Sequence, residues 1–541
     1  IAGTDEQYKG TGSGNITTEG ADLLAKQKVT LSGNAVKLLE SEAIQHSRTD
    51  SKTKSFTVGS QLAGTVGKQI TDIYNMAQTA AEGTGNSRLD GAYALKAGYD
   101  AYKLIGAMSQ GSAPANSGTG GGDSAFGISV SANYSKSESH STDDSRRIQG
   151  TNIQANQISV TAREGDLTTV AAKLQAEEID LFAAKQLNLQ AGANTAETHS
   201  RNKGSSVGGG VTFGAGQQTG ISFQIGASAS KGRADGTETN YDNTLITATK
   251  RLSTHSGGDT TLDGGQLAGK TVQMDVGGNL NITTRQDDSR YDSKQQSGGF
   301  NLSICVPPIC AGQTVSGSVN YAQTKINHNY QSATGQSGIA AGDGGFDIKV
   351  KGNTALNGGA LTSSADKDKN HLSTGTLSYT DLTNRQTMKS SSVSISTGTE
   401  ANAYLQLAQN ALANLAGSAG LPKNQNETSQ TRAVISPAHI SLTAGDAQSQ
   451  ANAAELTGRD AATANQALTN TLKLQDVAQM EQAMKTSQQN AQAAGMVSGI
   501  VPVVGVPLPF LSYGGTALLM QLGEMGIILS ISRDIPTKKA R

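Results

Sequence analysis

The segment GGQLAGKT, residues Gly264–Thr271, has the spacing G-x-x-x-x-G-K-[ST] of a phosphate-binding loop. Such a loop binds phosphate where it follows a strand and opens a helix, because the backbone N–H groups of the helix N-terminus then point at the anion. Here the following residues, VQMDVGG, alternate apolar and polar side chains and predict a strand. We therefore interpret Gly264–Thr271 as a corner between strands and not as a nucleotide site.

The two cysteines, Cys305 and Cys310, lie on either side of the tetrapeptide VPPI. They are too few for a four-cysteine zinc site or for a disulfide scaffold. In an oxidising compartment a local disulfide between them is predicted, with two free thiols as the alternative.

The seven histidines are scattered through mostly polar contexts, and we interpret them as surface residues. They are His46, His140, His199, His255, His328, His371 and His439. None forms an H-x-x-x-H pair or lies beside a candidate nucleophile. The sequence therefore predicts no catalytic residue, no cofactor site and no metal site, and hence a protein that is not an enzyme.

The composition narrows the class of protein further. The 541 residues carry 43 Lys and Arg against 44 Asp and Glu, so the net charge of −1 provides no global electrostatic reason to bind nucleic acid. Aromatic residues make up 4% and tryptophan is absent, whereas glycine occurs 65 times. This balance is unusual for an enzyme with a large core and suits short strands and turns around a thin core. Because residue 1 is Ile and no signal-peptide pattern follows it, we expect an internal or truncated piece of a longer protein.

A repeat organises residues 1–395. Segments of the type GNITTEGADLL recur from Gly14, Gly165, Gly258 and Gly352, at intervals of 151, 93 and 94 residues. The first interval is longer because it contains a stretch, about residues 56–110, whose apolar residues recur at helical spacing. We predict a helical hairpin inserted there into an array with a period of about 94 residues.

Within each repeat, short strands recur about every 20 residues. The pentapeptides ISVTA and IDLFA, which begin at Ile158 and Ile179, are 21 residues apart and alternate apolar with polar side chains. This pattern is typical of a parallel β-helix, in which each strand stacks on its equivalent one turn later. Polar, Ser-rich stretches from Gln45, Glu197, Arg285 and Ala365 interrupt the pattern and predict hairpins or loops that project from it.

These repeats, with their G-N/D-hydrophobic-T starts and HSR or DSR excursions, resemble the second hemagglutinin-repeat region of two-partner-secreted exoproteins. That family includes filamentous hemagglutinins and contact-dependent growth-inhibition proteins. The resemblance implies a mainly β fold: a right-handed parallel β-helix solenoid with projecting hairpins and the helical insertion, followed by an α-helical segment and a short hydrophobic tail.

The same resemblance implies a secreted or cell-surface location and a function in presentation and delivery. The expected role is a stalk that helps to pass a C-terminal effector into a target cell; plain adhesion is the alternative. The implied partners are an outer-membrane secretion partner, a target-cell surface receptor and a cognate immunity protein, with no nucleic acid.

Residues 396–495 are rich in Ala and Gln and favour helices. One helical face contains Tyr404, Leu405, Ala408, Leu412 and Leu415. A short strand-like piece, AVISPAHISLTA, follows, and a second helical stretch has a narrow apolar stripe from Leu468. We interpret this segment either as a helical linker or bundle, or as the pretoxin region of the same family, whose usual VENN-like motif is absent here.

The last segment, residues 496–541, differs in composition. Three prolines interrupt its apolar start, and a helix of about 17 residues is predicted from Thr516 to Ser532, with Glu524 inside it. Residues 496–532, at VPLPFLSYGG above all, resemble the end of the SEDS-family rod-shape and division glycosyltransferases, whose catalytic acid lies in another loop. We interpret the tail as a gene fusion or assembly artefact; a native tip with membrane contact through residues 496–532, or a chance apolar C-terminus, is the alternative.

Overall fold

The computed structural model describes residues 14–63, 124–216, 219–311, 315–398 and 423–474. They form strands β1 to β28, numbered along the chain, in two parallel sheets and one antiparallel sheet, which we name sheets A, B and C. The part of the chain that the structure describes is therefore mainly β, as the composition predicts.

Sheet A contains eight short parallel strands, two from each repeat. In spatial order they are β1 (Ile16–Glu19), β4 (Val36–Leu39), β9 (Leu167–Val170), β11 (Leu187–Gln190), β15 (Thr260–Asp263), β17 (Leu280–Thr283), β21 (Asn353–Asn357) and β24 (Thr376–Thr380). The glycines that begin the four sequence repeats each lie one or two residues before a strand of this sheet. The repeat units are thus structurally equivalent, which confirms their alignment.

Sheet B contains twelve parallel strands. They are β2 (Asp22–Leu24), β3 (Lys28–Gly33), β7 (Asn152–Gln154), β8 (Gln157–Ala162), β10 (Lys173–Ala183), β14 (Thr244–Ser256), β16 (Gly265–Val276), β20 (Gly338–Val350), β22 (Ala360–Ser363), β23 (His371–Thr374), β27 (Val434–Ile435) and β28 (His439–Leu442). Register shifts inside β10, β14 and β16 divide the sheet into two rows of strands.

The core is built from ladders of aliphatic side chains at matching positions of successive strands. The longest runs through sheet B, and all but the first of its members are buried: Leu23, Ile153, Leu174, Ile246, Leu267, Ile339, Leu361 and Ile435. Because one strand pair covers only part of each side chain, every turn of the chain depends on its neighbours for burial.

Corners that lead directly from sheet A to sheet B share one backbone conformation. The residue at each of these corners has a positive φ, between 52° and 80°: Gly20, Ala171, Gly264 and Gly358. Glycine adopts this conformation without the steric cost that a Cβ atom brings. Gly264 opens the segment that resembles a phosphate-binding loop, and the rest of that segment lies in β16, so its interpretation as a corner is confirmed.

The other four connections from sheet A to sheet B run through sheet C. This eight-stranded antiparallel sheet consists, in spatial order, of β26 (Gln425–Thr431), β25 (Leu382–Gly398), β19 (Val315–Ser332), β18 (Asp287–Ala311), β13 (Thr219–Asp242), β12 (Gly192–Gly216), β6 (Ser124–Gln149) and β5 (Ser41–Ala63). The polar stretches that begin at Gln45, Glu197 and Arg285 therefore form long paired strands. The stretch from Ala365 does not project: it forms a 3-10 helix, Lys367–Lys369, and β23 of sheet B.

Two sequence predictions need correction. Residues 56–63, expected at the start of the helical insertion, lie in β5, where cross-strand pairing with β6 overrides the helical spacing; residues 64–110 lie outside the described ranges. In the segment 396–495, strands β27 and β28 lie in the strand-like piece AVISPAHISLTA and confirm it, and β26 precedes them. The described helices are α1 (Ala447–Thr457) and a 3-10 helix, Ala461–Thr463. The apolar stripe from Leu468 is not helical over residues 468–473, because this stretch bonds to sheet C instead. Residues 399–422 and 475–495 and the tail 496–541 lie outside the described ranges.

Helix α1 occupies the place of the next strand at the end of sheet A. The backbone N–H of Leu377 in β24 donates to Oγ of Ser449 at 2.9 Å, and Nδ2 of Asn452 donates to the carbonyl of Leu377 at 2.7 Å. Leu456 packs fully buried against the same core. The side chains of the helix thus satisfy edge groups that another strand would otherwise pair.

Residues 465–474, which we name the strap, cross sheet C. The N–H of Leu468 donates to Oγ of Ser332, and the N–H of Leu474 donates to Oε2 of Glu238 at 2.7 Å. Leu472 and Leu474 belong to one buried apolar cluster with Tyr291 and three other residues of the sheet: Ala234, Ile326 and Met388. Part of one face of sheet C is thereby covered.

His328 lies beneath the strap and is 1% exposed, which corrects the interpretation of every histidine as a surface residue. Its Nε2 donates to Oδ1 of Asn470 at 3.0 Å. Burial lowers the pKa of this imidazole, since the charged form would lose its hydration.

Acidification is expected to weaken attachment of the strap. Because the folded pKa of His328 is below its unfolded value of about 6.5, the unfolded segment binds the proton first, and stability is lost as the pH falls below about 6.5. Measured relative to the intrinsic exchange rate at each pH, hydrogen exchange of residues 465–474 should therefore accelerate between about pH 7.5 and 5.5. His328→Gln should remove this dependence. Burial raises the pKa of Asp287, so this carboxyl stabilises the folded protein as the pH falls, equally in the parent and in the His328→Gln variant. The same acceleration in the variant would contradict the assignment of the effect to His328.

Candidate functional site

The two faces of sheet C differ because side chains alternate along each strand. Tyr291, under the strap, and Phe300 lie nine residues apart on β18 and so point to opposite faces. We call the face of Phe300 the outer face. Cross-strand register places the equivalent residues of the other strands on it.

The half of the outer face that lies farther from sheets A and B, which we call distal, is apolar and exposed. One cross-strand row contains Phe56, Tyr134, Val207, Phe300 and Val319, with exposed fractions from 42% to 70%. Neighbouring rows on the same face add Val58, Val130, Phe213, Phe223, Ile225, Val315, Tyr321, Val393 and Ile395. We name these residues the apolar band. A contiguous exposed apolar surface of this kind is typical of an interaction site.

The opposite face at the same level is polar and built from small residues. Its row contains Ser55, Ser135, Ser206, Ser228 and, beyond Gly299, Asn320. Oγ of Ser55 hydrogen-bonds to Oγ of Ser135, and the same contact joins Ser206 to Ser228, each at 2.7 Å. A single layer of sheet therefore separates an apolar face from a hydrophilic one.

Nearer to sheets A and B, the outer face is charged. His46 pairs with Asp144, and His140 pairs with Asp50. His199 donates to both Asp235 and Glu197 at 2.8 Å, and these two carboxylates raise its pKa.

Other pairs in this region join lysine and glutamate. The ammonium groups of Lys136 and Lys52 lower the pKa of Glu138 to about 2. Such exposed pairs contribute little to stability, because water and salt screen them. Their arrangement does not resemble a catalytic centre, and among the described residues no group of three His, Cys, Asp or Glu side chains could hold a metal ion.

The cysteine region lies in the distal part of sheet C. Cys305 is buried on β18 and lies opposite Ser222 of β13, and the backbone of Cys310 lies opposite Gly220. The Cys305–Cys310 disulfide stays a prediction.

Comparison with known proteins agrees with the repeats seen in the sequence. A family model described as "Hemagglutinin repeat" matches residues 130–298, which contain most of β6 and the chain up to β18. The chain is 31% identical to a "Toxin CdiA" of Escherichia coli over 514 residues, or 90% of this chain and 16% of that protein. The chain belongs to the hemagglutinin-repeat exoproteins. These exoproteins are secreted proteins of the bacterial cell surface.

Other similar hemagglutinin-repeat exoproteins are named as nucleases. A "Deoxyribonuclease CdiA" of Dickeya dadantii is 32% identical over 68% of this chain and 11% of its own length. One of Yersinia pseudotuberculosis is 30% identical over 83% of this chain and 41% of its own length. The chain thus spans less than half the length of each of these relatives. No solved structure matches.

A second family model, "Cell cycle protein", matches residues 479–536, beyond the part of the chain that the structure describes. This match agrees with the resemblance of the tail to the SEDS family. Among the residues that are described, no helix is long and apolar enough to cross a membrane.

Sequence inspection missed the apolar band as a surface. Alternating segments such as VTFGAG and FNLSI were its local signal. Phe56 and Phe300 are far apart in sequence, however, and only the register of the intervening strands places them in one row.

Proposed function

We propose that the chain is the stalk and delivery region of a contact-dependent toxin exoprotein and has no enzymatic activity of its own. Its role is to present a C-terminal effector and to help it enter target cells. The apolar band carries this proposal, because a secreted protein that exposes such a surface needs an apolar partner. Relatives named as toxin and nuclease that share this region support it.

Sheets A and B together form, in this proposal, a right-handed parallel β-helix, and the hairpins of sheet C project from it. The functional units are the repeat region 1–395, the pretoxin-like segment 396–495 and the tail 496–541. An outer-membrane secretion partner exports the protein, a surface receptor captures it on the target, and an immunity protein protects the producer.

The apolar band makes contact with the lipid of the target cell's outer membrane in this role. Burial of apolar surface stabilises such contact by about 25 cal/mol per Å². The small polar side chains of the opposite face leave a hydrophilic surface on the other side of the sheet.

Aspartates within the apolar band test this function. In the parent exoprotein, Phe300→Asp with Val319→Asp changes two directly opposed residues. Each charged residue placed in lipid costs about 3 kcal/mol. One of the two aspartates would by itself weaken membrane association roughly a hundredfold. Target cells mixed with the producer should then survive, as they do when they express the cognate immunity protein.

Ser228→Asp with Asn320→Asp is the matched control, since it adds the same charges at the same level of the opposite face. This variant should still inhibit target cells. Equal inhibition by the two variants, at equal surface display, would reject the role of the band. Plain adhesion instead predicts that purified repeats bind cells while neighbours of the intact producer survive undiminished.

A further inference from the structure

A row of four basic residues crosses the outer face below the apolar band. Arg201, Arg233, Lys294 and Lys325 lie directly opposite one another on the adjacent strands β12, β13, β18 and β19. Neighbouring strands are about 4.8 Å apart, so the row extends over about 14 Å. Two residues further along β12 and β13, Lys203 lies opposite Lys231. We name these six residues the basic belt.

The basic belt costs stability in the isolated protein. Like charges directly opposite each other on antiparallel strands repel and destabilise the pairing. Asp235 pairs with Arg201 at 2.7 Å, and Asp292 lies 3.6 Å from Arg233. Among the described residues, no carboxylate lies within ion-pair distance of the four lysines of the belt, Lys203, Lys231, Lys294 and Lys325. The belt therefore carries a surplus of positive charge that an external anion could neutralise.

The belt and the apolar band meet on the same face. Lys231 and Ile225 are six residues apart on β13, and Tyr321 lies four residues from Lys325 on β19. At about 3.4 Å per residue, Lys231 is about 20 Å along the strand from Ile225, and Lys325 is about 14 Å from Tyr321. The row of Lys203 and Lys231 also contains Val393 of the band, three strands from Lys231. An apolar surface bordered on one side by cations matches a lipid layer bordered by phosphate groups.

We propose that the basic belt binds the phosphate headgroups of anionic lipids while the apolar band contacts their acyl chains. This inference rests on the proposed membrane contact and specifies its lipid class. Phosphate groups placed along the row relieve the repulsion between its side chains. The belt also fixes how far the sheet enters the lipid, because its cations stay at the headgroup level.

Vesicle flotation of the purified full chain tests the proposal. The probes are vesicles of phosphatidylcholine alone and of phosphatidylcholine mixed in equal parts with phosphatidylglycerol. We expect tighter binding to the anionic vesicles, by roughly fivefold for each lysine engaged. Lys203→Gln with Lys231→Gln and Lys325→Gln should remove about a hundredfold of that preference and leave binding to neutral vesicles unchanged. Raised salt should have the same effect as the substitutions.

The matched control replaces three exposed lysines of sheets A and B and their connections, Lys173→Gln with Lys185→Gln and Lys351→Gln, and should retain the preference. The belt variant should unfold no more easily than the parent, since repulsion is removed, which separates lost binding from misfolding. Equal preference in belt and control variants would overturn the assignment of the belt, with neutral-vesicle binding by the apolar band still intact. Failure of the parent chain to float with either vesicle would instead reject membrane contact, and the proposed function with it.

Discussion

Ile246→Ala is expected to lower the free energy of unfolding by about 3 kcal/mol. Ile246 is fully buried and lies in register with Leu174 on one side and Leu267 on the other. Removing its side chain beyond Cβ leaves a cavity in the middle of the ladder, where neither neighbouring strand can move inward without breaking its own pairing. Because the turns of the chain stabilise one another, the loss should spread to both sides of position 246.

Ile225→Ala is the matched control, because it deletes the same atoms from a residue that is 53% exposed in the apolar band. Its effect on unfolding should stay within about 0.5 kcal/mol. Urea unfolding followed by circular dichroism measures both. Similar losses for the two variants would mean that the ladder does not dominate the stability of the parallel sheets.

Leu456→Asp should detach helix α1 and expose the end of sheet A. The fully buried Leu456 would be replaced by a carboxylate without a partner, at a cost of about 4 kcal/mol or more. Loss of the helix also removes Ser449 and Asn452 from the backbone groups of Leu377. The freed edge of β24 can then pair with another chain, so we expect self-association that increases with protein concentration.

Ala454→Asp places the same charge on the exposed side of the same helix and should leave the protein monodisperse to the same degree as the parent. Size-exclusion chromatography with light scattering compares the two variants. An unchanged mass for Leu456→Asp across a range of concentrations would show that α1 does not protect this edge.

The periodic parts of this fold could be predicted from the sequence. The glycines at 14, 165, 258 and 352 mark the repeat, and alternation along ISVTA and IDLFA marks the strands. Gly264 also identifies a corner, because the corner needs positive φ and glycine supplies it. Ala171 makes an equivalent corner with an ordinary side chain and so has no such signal.

Contacts between distant segments could not be predicted. Strand β26, QNETSQT, has no apolar alternation and is a strand only because β25 pairs with it. The hydrogen bond from Leu468 to Ser332 joins residues 136 positions apart, and neither has a local pattern that indicates it. The apolar band and the basic belt likewise depend on strand register, which becomes visible only when all the hairpins are aligned.

The matching strand counts of sheets A and C have a consequence for how such proteins change length. Each repeat adds two strands to sheet A and one two-stranded hairpin to sheet C, so both sheets grow by about 10 Å per repeat. Unequal crossing-over between the genes' repeats would therefore produce longer or shorter chains whose sheets still align. Loss of a single turn that lacks a hairpin would shorten sheet A and leave sheet C unchanged. A whole repeat of about 94 residues is therefore the smallest unit that recombination can add or remove while the two sheets stay matched.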